Sequence, residues 1–189
     1  VKPLAHLLDI YYKSVGRGAG LLLNVPPASD GLFAAPDVER LLELRRVLDA
    51  TFAVDLARDR PSRASAIRGG DHGFGPARAV DGDPRTYWAV DDVVREASIE
   101  IDLGAQAACS VCLLGEKIEL GQRIESHRVE VFAGGKWQVV AQGTTVGYKR
   151  LHRFPAVNAQ RLRVTIEKAR ACPTLATVGL FCEPEGNRL

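Results

Sequence analysis

The 189-residue sequence contains no methionine, only two tryptophans and a net charge of just +2, from 25 Lys plus Arg against 23 Asp plus Glu. The small charge argues against a strongly basic nucleic-acid binder and against a disordered polyelectrolyte. No apolar run approaches the roughly 20 residues that span a bilayer, so no membrane partner is expected. No stretch has the charged-then-apolar order of a signal peptide. A chain that starts at Val1 and has no Met is expected to be a processed product or a fragment. What remains is ordinary globular composition, 46% apolar and 25% charged.

Cysteine is scarce and its spacing is uninformative. Cys109 and Cys112 form a Cys-x-x-Cys inside an apolar, strand-like run. A step of three residues along a regular strand would point the two thiols to opposite faces. No second pair follows, and His127 and His152 lack zinc-ligand spacing. Cys172 and Cys182 could close a short loop, but spacing does not establish pairing. Buried free thiols are the expected state.

The chain divides by its hydrophobic period. Pro3 opens a helix in which Leu4, Leu7, Leu8, Tyr11, Tyr12 and Val15 recur at helical spacing, and Gly16 and Gly18 end it. Gly20 to Val25 is continuously apolar, which suits a strand covered on both faces in a parallel sheet. A second helix is predicted from Pro36 to about Thr51. After the polar linker Arg58-Asp59-Arg60-Pro61 the period becomes two. Segments 98–103, 128–133, 136–141, 149–154, 161–166 and 177–181 read as short antiparallel strands separated by turns. Between Lys149 and Arg170 seven basic residues face one acid, Glu167, which reads first as the solvated face of two strands and otherwise as an anion patch.

One loop carries potential chemistry. Ala79-Val80-Asp81-Gly82-Asp83-Pro84-Arg85-Thr86-Tyr87-Trp88 puts two carboxylates and a hydroxyl in a tight turn. It can offer oxygens to a hard cation, or Asp81 and Asp83 can simply accept backbone N–H bonds of the turn. Trp88 reads as core.

That decapeptide resembles the C-terminal discoidin-like (coagulation factor 5/8 type C) domain of α-L-fucosidases. So do strand 98–104, Ile118-Glu119-Leu120-Gly121-Gln122-Arg123, and Gly143-Thr144-Thr145-Val146-Gly147-Tyr148-Lys149-Arg150. Leu21-Leu22-Leu23-Asn24-Val25-Pro26-Pro27 through Asp30-Gly31-Leu32 resembles the last barrel strand of the same enzymes, glycoside hydrolase family 29, most closely the plant type. The resemblance runs from Pro3 to about Phe181. It implies a mainly β fold: a discoidin-like antiparallel β-sandwich (jelly roll) preceded by a helix–strand–helix remnant of a (β/α)8 barrel. The expected segments are a barrel end at 1–55, a linker at 56–61, the sandwich at 62–183 and a tail at 184–189.

Functionally, the resemblance implies the C-terminal portion of an enzyme that hydrolyses terminal α-L-fucosyl residues of glycans with retention. That chemistry needs two carboxyl groups about 5–5.5 Å apart, which the family places upstream of this chain, so the chain alone is expected to be inactive. The alternative is a non-catalytic carbohydrate-binding or interaction module of discoidin type. Candidate sugar contacts are Asn24, at the C-terminal end of its strand, with His72, Phe74, Arg95 and Tyr148 on loops; Asp91 and Asp92 flank Arg95. No cofactor is required by the chemistry, but a structural calcium is suggested at Asp81, Asp83 and Thr86, with Glu183 as a further ligand. The implied partners are fucosylated glycans and the rest of the barrel. The implied location is the plant apoplast, although Asn24, Asn158 and Asn187 all lack a glycosylation sequon. Without its barrel, residues 1–55 are expected to be sticky and partly disordered.

Overall fold

The computed structural model describes residues 1–187. It is mainly antiparallel β-sheet, open rather than closed into a barrel, and preceded by a helix pair. Helix α1 spans Leu4–Lys13 and α2 spans Ala35–Phe52. Pro3 sits just outside α1, and an Asp9–Lys13 pair at 2.8 Å braces its exposed side. Leu7 and Leu8 pack against Leu44 and Val47 of α2. Tyr12, the third buried residue of α1, turns instead toward the sheet.

The predicted strand at 20–25 does not form. The segment runs without a ladder, and only an isolated bridge between Pro27 and Phe33 follows. The reason is the one its composition implies: a two-faced strand needs parallel neighbours for its N–H and C=O groups. Among the described residues none is supplied, and Leu22 is left 97% exposed.

The linker is not loose. Leu56 N–H donates to Leu180 C=O, Asp59 N–H donates to Val80 C=O, and Ala57 is fully buried. The Asp55 carboxylate accepts the N–H groups of Ala57 and Leu180. Burial raises its pKa above the usual carboxylate range.

The sandwich contains strands β1 (Ser62–Ala64), β2 (Trp88–Ala89), β3 (Ala97–Gly115), β4 (Ile124–Ala133), β5 (Lys136–Gly143), β6 (Arg150–Ala169), β7 (Thr174–Leu175) and β8 (Thr177–Phe181). The main sheet runs β1-β3-β6-β4-β5, and β8 pairs the far half of β3. A small β2–β7 ladder stands apart. β3 and β6 bend together: their register breaks between Asp102 and Ala107, beside Gly104 at φ 78°, and again between Cys109 and Val111. Beyond the first break β6 still partners β3, but β8 takes the flank. Period-two burial follows the prediction. Ile99, Ile101 and Leu103 are inside, facing Leu162, Val164 and Ile166 in one core, while Glu100 and Asp102 face out.

The second break corrects the expectation for the two nearby cysteines. Cys109 and Cys112 both lie in the main core rather than on opposite faces, and Val111 faces the other way, against Tyr12, Leu151 and Phe181. The bulge adds one residue and so restores the same face after three steps. All four thiols are free. Burial pushes Cys109 up to about 12 and raises Cys112 as well, so neither is a nucleophile near neutrality.

Hydrogen exchange should separate the two parts of this chain. Amides of residues 20–25 should exchange with little protection, and those of Ile99, Leu162 and Val164 should exchange slowest. Strong protection at 21–23 in the isolated chain would contradict the missing ladder.

Candidate functional site

Loops between β1 and β3 gather at one end of the sandwich. Arg68 is their hub. Its Nε donates to Val90 C=O, and its Nη2 reaches the Asp92 carboxylate and Cys172 Sγ. Its guanidinium lies 5.9 Å from the centroid of Phe74, whose ring packs 5.5 Å from Tyr87. Asp91 accepts the Gly69 N–H at 2.7 Å, locking the two loops together. Arg123 adds a second guanidinium, with Nη1 2.8 Å from Cys172 Sγ and 3.0 Å from Cys172 C=O. The result is an aromatic pair beside two guanidiniums and two carboxylates, a mixture that suits a ligand with an apolar face and many hydroxyls.

The sequence-predicted residues fall in three places. His72 and Phe74 lie on this loop end, His72 exposed and Phe74 half-buried. Arg95 is near them but turned to its own loop, with Nη1 donating to the carbonyls of Asp92 and Val94. Tyr148, 70% exposed, borders a separate hollow of about 180 Å³ with Pro84, Ile118, Glu119 and Lys149. Its loop is pinned by buried Glu116, whose carboxylate accepts the N–H groups of Arg123, Ile124 and Gly147. Asn24 is exposed and borders a hollow of about 570 Å³ between the extended segment and the helix pair. The structure therefore brings His72 and Phe74 together and keeps Asn24 and Tyr148 apart from them. Arg68, Arg123 and Glu116 escaped sequence reasoning because nothing in the sequence distinguishes them from surface charges.

The Asp-Gly loop has a specific oxygen geometry. Thr86 Oγ1 lies 2.8–2.9 Å from both Asp81 oxygens, 3.0 Å from Asp83 C=O and 3.2 Å from Arg78 C=O. Asp81 Oδ1 also accepts the Asp83 N–H at 2.9 Å, and Asp83 Oδ1 accepts the Arg85 N–H, as the turn reading expects; the hydroxyl proton serves one of the remaining acceptors, so oxygens still cluster around Thr86. The Asp83 carboxylate is not in that cluster. It binds the Arg85 guanidinium at 2.7 and 2.9 Å, which holds its pKa down at about 2. Glu183 is also engaged elsewhere: it is buried, accepts from Tyr12 at 2.8 Å and pairs with Arg153 at 3.0 Å. So two of the four suggested ligands meet, joined by two main-chain carbonyls. Trp88 is fully buried, with Nε1–H donated to Ala66 C=O, and so is core.

With this geometry in place, comparison with known proteins is decisive. Residues 62–178 match the F5/8 type C domain family. The chain belongs to that family. A homologue in Oryza sativa subsp. japonica is 40% identical over 184 residues. Arabidopsis thaliana α-L-fucosidase 1 is 37% identical over 186. Each match covers 96% of this chain but only 36% and 37% of the relative. The solved structure of a Ruminococcus gnavus family 29 fucosidase in complex with fucose superposes on the whole chain at TM-score 0.91 and 33% identity, and 38% of that protein is covered. The chain is thus the F5/8 type C domain, with its preceding helix pair, of a family 29 α-L-fucosidase homologue of plant-like type, and it spans under two-fifths of the length of these relatives.

Within this F5/8 type C domain the buried titratable groups are structural. His127 Nδ1–H donates to Thr144 C=O at 3.1 Å, so its Nε2 accepts from His152 Nε2–H at 2.8 Å. Desolvation lowers both pKa values, with Arg150 and Arg17 adding to the depression of His152 to about 3. The unfolded chain binds these protons near pH 6.5 and the folded domain resists them. Stability should therefore be full above about pH 7 and fall as pH drops toward 3, by roughly 2 kcal/mol at pH 5 from His152 alone. Thermal melts from pH 8 to 4 check this. His152→Gln should flatten the slope, and an unchanged slope in that variant would refute the assignment.

Proposed function

We propose that this chain is the non-catalytic, carbohydrate-binding part of a protein that hydrolyses α-L-fucosides, and that catalysis belongs to groups outside these 189 residues. The observation that carries this is the match of the F5/8 type C domain and its helix pair, in order and along the whole chain, to family 29 fucosidases. The carboxylates inside the chain support it. Glu116, Glu130 and Glu183 are buried and each is engaged by arginines or backbone N–H groups; none is a proton-shuttling pair facing a sugar-sized hollow. The loop end built on Arg68, Phe74 and Tyr87 is the surface offered to glycan, with His72 at its edge.

The hollow beside Asn24 and the unpaired segment 20–25 fit the second partner, the remaining strands of a barrel. A neighbouring strand would satisfy the backbone of Leu21 to Asn24 and cover Leu22. In that setting Asn24 stands at the strand end, where barrel enzymes keep their substrate groups.

Two outcomes test this assignment. The purified chain should release no nitrophenol from a nitrophenyl α-L-fucoside above blank, yet should retain fucosylated oligosaccharide in a binding assay; Arg68→Ala should reduce that retention about fivefold or more. Turnover by the chain alone, or no retention of any glycan, would overturn it.

The cradle of Asp81, Thr86 and the Arg78 and Asp83 carbonyls is proposed to take calcium. Calcium would supply a positive centre that ties the loop before Trp88 to its neighbours. One carboxylate among neutral oxygens makes a weak site, in the range of about 0.1–1 mM seen for extracellular modules. At about 10 mM calcium the melting temperature should rise by about 3–6 °C. Asp81→Asn should abolish the rise while magnesium leaves both proteins unchanged.

A further inference from the structure

A second polar hollow lies on the outer face of the main sheet, away from the loops. Its register places it. Arg63 of β1 stands opposite Glu100 of β3, and Asp102 stands opposite Arg161 of β6. Ile99 and Ile101 point into the core, so Glu100 and Asp102 point out. Together with Pro61 and Ser62 these side chains line a cleft of about 280 Å³. Five residues of strand, about 16 Å, separate Asp102 from Ala97, where the 91–95 loop ends. No cleft residue belongs to the helix pair or to the clusters the helices form.

The cleft is set up by an unequal division of charge. Glu100 Oε1 receives both Arg63 Nη2 at 2.6 Å and Arg161 Nη1 at 2.9 Å. Arg161 is further held by aromatic rings, its guanidinium 4.1 Å from the centroid of Phe132 and 5.2 Å from that of Trp137. Stacking there draws it from Asp102, its partner in register. Asp102 consequently has no ion pair among the described residues; Oδ1 accepts the Gly104 N–H at 2.9 Å and the residue is exposed. Two guanidiniums and two carboxylates give the lining no net charge. An ion of either sign gains little in such a site, whereas a hydroxyl can donate to Asp102 while its neighbours accept from Arg63 and Arg161. The Pro61 ring adds an apolar wall. The volume lies just below the roughly 300–1,000 Å³ of sites for drug-sized ligands, which suits a single small ring.

We propose that this cleft is a second carbohydrate site that takes one ring of a neutral glycan. Asp102 accepts from a sugar hydroxyl, and Arg63 and Arg161 donate to the adjacent oxygens. The proposal rests on the glycan-binding assignment above but names a different surface from the loop end. With both surfaces occupied, one branched or extended glycan would be held at two points on the domain, and the effective concentration of the second ring would raise the total affinity.

The experiment is a titration of the ¹⁵N-labelled 189-residue chain with methyl α-L-fucoside and, separately, methyl β-D-galactoside, followed by amide shifts. The expected result is a saturable set of shifts at residues 61–63, 100–102 and 161. Asp102→Asn, which keeps shape and the exposed position, should weaken that set by about fivefold to tenfold and leave the shifts at residues 68–75 in place. Arg161→Lys should weaken it too, since a lysine loses the planar stack. Shifts confined to the loop end would overturn the second site and leave glycan binding intact. An absence of shifts anywhere would overturn both. Equal shifts on adding sodium acetate would show a charge response rather than sugar recognition and would also overturn it.

Discussion

The pairing of β3 with β6 is the constraint on which the rest depends. Each strand is about twenty residues long, and they stay hydrogen-bonded through two register breaks. One half of the pair carries β1 and β4; the other half carries β8. The bend between the halves wraps the apolar faces around one core, with Trp88, Phe154 and Leu175 filling it. Because the ladder is long and its interior mainly apolar, the strand ends can carry polar loops without loss of register. The loop end and the sheet-face cleft are two products of that rigidity.

Charge is arranged by the same ladder. The run from Lys149 to Arg170 looks strongly basic along the sequence, yet in space five of its seven Lys and Arg residues meet an acid. Arg153 meets Glu183, Arg161 meets Glu100, Arg163 meets Glu130, and Lys168 and Arg170 meet Glu125. The acids come from β3, β4 and the C-terminal segment, so no linear window reveals them. Arg163 and Thr165 hold Glu130 ionised down to about pH 2. From Arg153 to Arg170 the result is a sheet face of alternating signs, while Arg150 at the start of the run lies beside Arg17. On this face Asp102 has no ion pair among the described residues, where Arg161 instead stacks on Phe132 and Trp137.

The helix pair is coupled to this sandwich through few but specific groups. Tyr12 donates to Glu183, which Arg153 also binds, while Phe52 packs edge-on against Phe181 at 5.1 Å. Asp55 fastens the connecting segment to β8. A unit of two helices and an unpaired extended segment thus rides on the F5/8 type C domain by the Tyr12–Glu183 hydrogen bond and a small shared core of Tyr12, Phe52, Val111, Leu151 and Phe181. Such an arrangement fixes the exposed segment around Leu22 relative to the sandwich.

Much of the architecture was readable from periodicity. Both helices, most strand segments after Pro61 and the buried role of Trp88 follow from spacing and residue type, because each depends on local geometry and on burial of one face; the segments 149–154 and 161–166, read as separate strands, instead run on as the single strand β6. Family resemblance extended this to the F5/8 type C assignment. Tertiary structure alone decided the rest. The apolar run at 20–25 specifies a strand but not the neighbours that would make it one. Cys109 and Cys112 share a face because a bulge, invisible in the sequence, inserts a residue between them. Arg68, Glu116 and Asp102 acquire their roles from partners 22 to 104 residues away for Arg68 and 7 to 31 for Glu116, and for Asp102 from the partner that stacking takes away. Local sequence determines which face is apolar and where the chain turns. Which charges meet, and which one is left open, is set only when distant strands are brought into register.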